Sequence, residues 1–327
     1  MAEPPKLSRR GFLSKAGTTA VGGSALLAVG GTGALISACG RSATEAQAPE
    51  IVALFSPDRI LAAGRSQRIP FAIVAPATDS EFVLPEDDAA VEVRLTKDGE
   101  VIQEIEIRGH VVDHDHVGDD DTDHQHADLF RYYPARLTLP EPGVYDLVVT
   151  FARGSGFSRG PSSTLPVQAF DPNEVTVPLP GQPMPIVNTP TFDDPAGVDR
   201  ICTRFEPCPF HEVDFATAIR QAKPAALLVA TPAYCATAYC GPVVDTLIAA
   251  ADSAPNVTIV HAEVYANTAE VGGNLADPAI RLAPAVETIG LSFEPSLFLV
   301  NSGGTLVDRI DNVFDITEAE AALTALR

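Results

Sequence analysis

Between residues 51 and 170 the chain alternates apolar and polar positions with a period of two, in short runs separated by turn signals. RIPFAIVA (68–75), AVEVRLTKDGEVIQEIEI (90–107), ARLTLPEPGVYDLVVTFA (135–152) and STLPVQAF (163–170) all show the alternation. Such a pattern turns one face of a strand to a core and the other to solvent. Asp98-Gly99 in the second run is a two-residue hairpin signal, and Pro142-Gly143 marks a turn in the third. Strands at this spacing, with no helical pattern between them, predict an antiparallel Ig-like β-sandwich over 51–170.

The pattern then breaks. Prolines at 172, 178, 180, 183, 185, 190 and 195 predict a stretch without regular structure over 171–199, either a semi-rigid linker or a wrapping segment. Beyond it the periods mix. HEVDFATAIRQA (211–222) has helical spacing, and AALLVA (225–230) is a continuous apolar run of the kind a strand buried on both faces shows. VVDTLIAAA (243–251) is helical, with Val243, Val244, Leu247, Ile248 and Ala251 on one face, and NVTIVHAEVY (256–265) reads as a strand. PSLFLV (295–300) and TLVDRI (305–310) form a hairpin across Asn301–Gly304. ITEAEAALTAL (316–326) closes as a helix, with Thr317 and Glu320 at capping-box spacing.

The N-terminus changes where all this is expected to sit. SRRGF (8–12) followed by Leu13 matches the twin-arginine export pattern, and an uncharged stretch runs from Ala16 to Gly40. Its six glycines ahead of Cys39 make a poor permanent membrane helix. It ends in LISACG (35–40), which resembles the lipobox of bacterial lipoproteins. That resemblance implies a signal peptide over 1–38, lipidation of Cys39, a flexible tether over 39–50, and a body held at the outer face of the cell membrane. An uncleaved anchor helix is the other reading. The formal net charge is −21, and the basic residues of the signal (Lys6, Arg9, Arg10, Lys15) make the remainder more acidic still. A surface so acidic repels nucleic acid, which is not an expected partner. Outside the cytoplasm the four remaining cysteines are expected as two disulfides. Proximity favours Cys202–Cys208 and Cys235–Cys240, although four cysteines allow three pairings.

Three stretches carry a further resemblance: ICTRFEPCPFHEVDF (201–215), ATPAYCATAYCGPVVD (230–245) and FEPSLFLVNSGGTLV (293–307). With the order helix, β, α, β, long connection, β, β, α, they make residues 200–327 resemble the thioredoxin-like superfamily, an α/β fold. More closely, the chain is similar to exported bacterial lipoproteins that pair a β-domain with such a fold. The resemblance implies a catalytic Cys240 followed by Gly241-Pro242 at a helix N-terminus, and a cis Pro295 facing it. Where thioredoxins keep their second cysteine this chain has Val243, so Cys235 is the expected resolving partner of a Cys240 thiolate. Protein thiols and disulfides of the cell envelope are the expected substrates, with no cofactor required. Tyr234 and Tyr239 flank the pair as a substrate platform or as packing. Cys202 and Cys208 read as a structural disulfide; with His211 they offer three zinc ligands and no evident fourth. His261, inside an apolar strand pattern, reads as a core histidine; the other reading makes it a metal ligand beside Cys235 and Cys240, since copper-delivery proteins of the same fold use two spaced cysteines plus a histidine.

One segment stands apart. HVVDHDHVGDDDTDHQH (110–126) holds His110, His114, His116, His124 and His126 among six aspartates, a composition suited to an exposed loop that binds zinc or copper. Two other functions therefore stay open beside thiol–disulfide exchange: a metal-handling lipoprotein working through this loop, and a non-enzymatic scaffold whose cysteines are all structural.

Overall fold

The structure, a computed structural model, describes residues 50–74, 90–112, 130–151, 162–235, 237 and 239–326. The signal segment, Cys39, and four of the loop histidines (His114, His116, His124, His126) lie outside the described residues. Among the described residues, twelve strands form three four-stranded sheets, with few helices.

The first sheet runs β1 (Glu50–Ala53), β2 (Arg65–Val74), β6 (Phe130–Leu139), β5 (His110–Val112), with antiparallel neighbours throughout. The second runs β4 (Glu100–Ile107), β3 (Val91–Lys97), β7 (Gly143–Phe151), β8 (Ser163–Ala169), also antiparallel. Their apolar positions, among them Ile69, Phe71 and Tyr133 from one sheet and Val93, Leu95 and Leu147 from the other, belong to one core. Asp98 and Gly99 both take positive φ, 52° and 83°, the backbone a tight β3–β4 turn requires. The Pro142-Gly143 turn forms, but it joins no hairpin: β6 and β7 belong to different sheets. Tyr145 clamps this crossing, its hydroxyl donating to the Glu141 carbonyl (2.8 Å) and accepting from the Glu141 N–H (3.1 Å).

Proline normally demotes a strand to an edge, yet Pro70 and Pro134 sit opposite each other in the central β2–β6 ladder. Neither can donate, so the pair must be one that exchanges no hydrogen bonds. Their missing N–H groups then face outward, where β1 and β5 have already ended at the partners of Phe71 and Tyr132. At the far end of the same ladder Val112 pairs with Phe130, so the two ends of the intervening segment are held side by side.

The third sheet runs β10 (Thr258–Ala262), β9 (Ala225–Val229), β11 (Ser296–Val300), β12 (Leu306–Asp311). β9 and β10 are parallel; the other neighbours are antiparallel. Among the described residues four α-helices accompany it: α1 (Phe215–Arg220), α2 (Cys240–Ala250), α3 (Pro284–Ile289) and α4 (Ile316–Thr324). Alternate residues of β9 face different partners. Ala226 and Leu228 pack with Val243, Leu247 and Leu323 of α2 and α4, while Leu227 and Val229 join the core shared with the two other sheets. A strand covered on both faces needs apolar residues at every position, which explains its unbroken run. The last helix corrects the expected cap. Asp315, not Thr317, is the N-cap, its carboxylate accepting from Glu318 N–H at 2.8 Å. The six-residue α3, within the long connection between β10 and β11, has no counterpart among the expected elements.

Residues 171–199 contain no strand or helix but lie against the body of the fold. Leu306 N–H donates to the Gln182 carbonyl (2.9 Å), Gly181 N–H to Leu306 (2.7 Å) and Met184 N–H to Gly304 (2.9 Å). Two buried arginines complete the joint. From β2, Arg68 reaches both carboxylate oxygens of Glu318 (2.6 and 2.9 Å) and the carbonyls of Asp311 and Val313. From β12, Arg309 grips the Asp311 carboxylate and the carbonyls of Pro178 and Ile60.

Breaking one half of a buried ion pair strands the other half. Arg68→Met is expected to lower stability by about 3–5 kcal/mol in urea unfolding, and Arg68→Met with Glu318→Leu to restore part of it; a loss under about 1 kcal/mol for the single variant would show that this pair does not hold the layers together. A pH signature comes from His110, whose Nδ1 lies 2.9 Å from Asp315 Oδ2. That hydrogen bond holds the imidazole above its ordinary 6.5 against the opposing effect of burial. Its stabilisation is complete below about pH 6.5 and fades as pH rises through the raised value. The stability gap between the parent and His110→Asn should therefore be widest near about pH 6 and close towards about pH 9; a gap independent of pH would refute it.

Candidate functional site

Both cysteine pairs lie in one apolar cluster beneath α2, with Cys208 and Cys240 buried and Cys202 and Cys235 half-buried at its margin. All four are free thiols, so neither expected disulfide is formed in the structure. The pairs are those that proximity favoured, each linked instead by a hydrogen bond.

The first pair is built by the exit from β9. The chain turns at Thr231–Tyr234, closed by Tyr234 N–H donating to the Thr231 carbonyl at 3.0 Å, passes Cys235, and enters α2 at Cys240. Tyr239, the residue before the helix, provides no side-chain cap. The sulfur of Cys235 does so instead: Cys240 N–H, one of the donors a helix start leaves unpaired, points at Cys235 Sγ from 3.2 Å. The Thr237 hydroxyl lies 3.4 Å from the same sulfur. Hydrogen bonding from the Cys240 thiol, reinforced by Thr237 and by the Cys240 N–H, lowers the Cys235 thiol to about 6 against the effect of burial. Burial pushes the Cys240 thiol well above its ordinary value, and its hydrogen bond to Cys235 and the nearby charge of Glu294 add to that. These shifts favour a thiolate on Cys235, outside the helix, where the expectation placed it on Cys240, the buried first residue of α2. Gly241 and Pro242 follow within that first turn. The peptide before Pro295 is cis, as the resemblance implied. Tyr239 packs against a small cluster of Leu54, Tyr132 and Val313, and Tyr234 against the main core, so packing occupies both rings.

The second pair has company that the sequence reading missed. Cys202, Cys208, His211 and His261 bring one donor atom each to within 4.8 Å of one another, and such a group can hold a metal ion. His261 Nδ1 lies 3.4 Å from Cys208 Sγ, 3.8 Å from Cys202 Sγ and 3.2 Å from His211 Nε2. Each ring's other nitrogen is committed to a backbone carbonyl: His211 Nδ1 to Pro190 (3.2 Å) and His261 Nε2 to Ala230 (3.1 Å). The strand brings His261 here because β10 alternates: Ile259 faces α2, so His261, two residues on, does too. His261 N–H donates to the Phe210 carbonyl at 3.0 Å, which docks the 208–211 segment along the edge of the sheet. Arg204 ties the intervening loop to α2 through Asp245 at 2.7 Å. Glu263, buried one position beyond the strand, accepts from Thr203 N–H at 2.5 Å. Burial raises its carboxyl to about 7.

The fourth donor was legible in principle. Five of the seven histidines fall in 110–126, leaving only His261 to join His211. His110, grouped with the loop as a metal candidate, is engaged elsewhere, by Asp315 and the ring of Tyr132. No protein-family model matches the chain, and no curated protein matches it.

The Cys240 thiol is the chief cause of the low Cys235 value. In Cys240→Ala the pH of half-maximal alkylation at Cys235, followed peptide by peptide with mass spectrometry, should rise from about 6 towards the ordinary thiol value of about 8.5. An unchanged midpoint would mean that the helix N–H and Thr237 suffice.

Proposed function

We propose that this chain is a thiol–disulfide exchange protein whose C-terminal part has a thioredoxin-like fold, with Cys235 as attacking thiolate and Cys240 as resolving thiol. The observation that carries the reading is the half-exposed sulfur of Cys235 occupying the cap of α2, hydrogen-bonded to the helix N–H and backed by a buried second thiol. The order of β9, β10, β11 and β12 in one sheet, and the cis Glu294–Pro295 peptide entering β11, support the fold assignment.

In this reading the Cys235 thiolate attacks a substrate disulfide. A Cys235–substrate S–S bond forms, the substrate bond breaks, and the departing sulfur leaves as a thiolate. Cys240 then attacks Cys235 Sγ; the Cys235–substrate bond breaks, the second substrate sulfur leaves as a thiolate, and the proton Cys240 gives up goes to one of the two departed thiolates. The protein ends oxidised, with a Cys235–Cys240 bond, and the substrate gains two electrons; run backwards, the same steps oxidise a dithiol. The low value of Cys235 makes it a good thiolate and a good leaving group at neutral pH. The raised value of Cys240 keeps it protonated until a mixed disulfide has formed. Lipidation of Cys39 would hold this activity at the outer face of the membrane. Among the described residues no helix is long and apolar enough to cross one.

The deciding measurement is the reduction potential of the 235–240 pair in glutathione buffers, with mass spectrometry confirming the pairing. A potential of about −120 to −230 mV supports exchange, and one below about −300 mV marks a structural bond and overturns the reading. Cys235→Ser should abolish insulin reduction. Cys240→Ser should accumulate a mixed disulfide on Cys235.

A further inference from the structure

We propose that Cys202, Cys208, His211 and His261 form a closed, tetrahedral binding site for a zinc-class divalent ion, separate from the 235–240 pair and structural in role.

The first argument is donor chemistry. Hydrogen bonds to Pro190 and Ala230 place the N–H of each histidine on the nitrogen facing away from the cluster. His211 Nε2 and His261 Nδ1 therefore meet 3.2 Å apart as two lone pairs, with two sulfurs beside them. Two imidazole lone pairs and two thiols, each a zinc ligand once its proton is lost, converge in a largely buried space and suit one shared cation. Anchoring each histidine through its other ring nitrogen is also the arrangement that orients and strengthens a metal-binding imidazole.

The second argument is size. A tetrahedron with zinc–sulfur bonds of about 2.3 Å and zinc–nitrogen bonds of about 2.0–2.1 Å has N···N edges of about 3.3 Å and S···N edges of about 3.6 Å. The corresponding contacts here are 3.2 Å between nitrogens, and 3.4 and 3.8 Å from His261 Nδ1 to the two sulfurs. The set of two sulfurs and two nitrogens suits zinc, and softer and harder ions less. All four positions are filled by the protein and three of the four ligands are buried, so no face is left open for a substrate. An ion here would release the two thiol protons and pin the 202–211 segment to β10.

The test uses cobalt(II) as the probe, added without oxygen to the reduced full chain. About one equivalent should bind with the ligand-field absorption of a tetrahedral ion and thiolate-to-cobalt charge transfer, and about one equivalent of zinc should displace it. Cys202→Ser, at the half-exposed ligand, and His211→Ala should each weaken binding by at least about tenfold. A Cys235→Ser, Cys240→Ser double variant should bind as the parent does. A reduced, folded parent that binds cobalt without thiolate charge transfer overturns the proposal, since binding through the histidine-rich loop would look like that. So does a tetrahedral spectrum that survives Cys202→Ser with Cys208→Ser, or one lost with the 235–240 pair. The parent titration decides the matter even if a ligand variant fails to fold.

Discussion

Two guanidinium groups converge on Asp311, at the end of β12, and the first and third sheets meet through them. Arg68 comes from the first sheet and takes the Asp311 carbonyl; Arg309 comes from the third and takes the Asp311 carboxylate, which Ser296 also contacts at 2.9 Å. Both arginines go on to backbone carbonyls that no strand or helix satisfies: Val313 for one, Pro178 and Ile60 for the other. A planar cation with five donors in a fixed fork suits this junction, where several irregular segments end with unpaired oxygens. Desolvating two such cations is costly unless every donor direction finds an acceptor. The junction therefore tolerates little slack, and α4, reached through Glu318, takes its position from the same network.

That constraint bears on the cysteines. α4 and α2 cover one face of the third sheet, and both thiol pairs lie in the apolar cluster they enclose. The pairs share a motif, with the N–H of the second cysteine directed at the sulfur of the first, at 3.2 Å in one and 3.5 Å in the other. Their surroundings differ. One sulfur caps a helix, while the other looks towards two imidazoles. Both stand near the carboxyl ends of parallel strands β9 and β10, the end of an α/β sheet where loops rather than ladders decide what a chain can bind.

The sequence made some of this legible and hid the rest for physical reasons. The β3–β4 hairpin could be read because Asp98-Gly99 states its backbone angles locally, and β9 because burial on both faces leaves five apolar residues in a row. The β6–β7 crossing could not, since a turn signal says that the chain reverses and not which sheet receives the next strand. The cap of α4 was misplaced by two residues because a Thr–Glu spacing and an Asp–Glu spacing look alike until the backbone decides. At the cysteines, Gly241-Pro242 located the helix start correctly. What it left out is that the N–H of Cys240 points at the sulfur of Cys235, because a loop's path back to the helix start is not written in its residue types. His261 is the buried core residue its apolar flanks suggest, and those flanks could not tell that Cys202, Cys208 and His211 would be its neighbours.

The pairing of Val112 with Phe130 sets the terms on which the histidine-rich segment exists at all. A segment whose two ends are already fixed by a ladder adds little closure entropy to folding when it lengthens, and the register of the strands does not depend on its composition. Residues can be gained, lost or exchanged there while β5 and β6 stay in step. The β5–β6 ladder thus uncouples the composition of residues 113–129 from the packing of the four cysteines beneath α2.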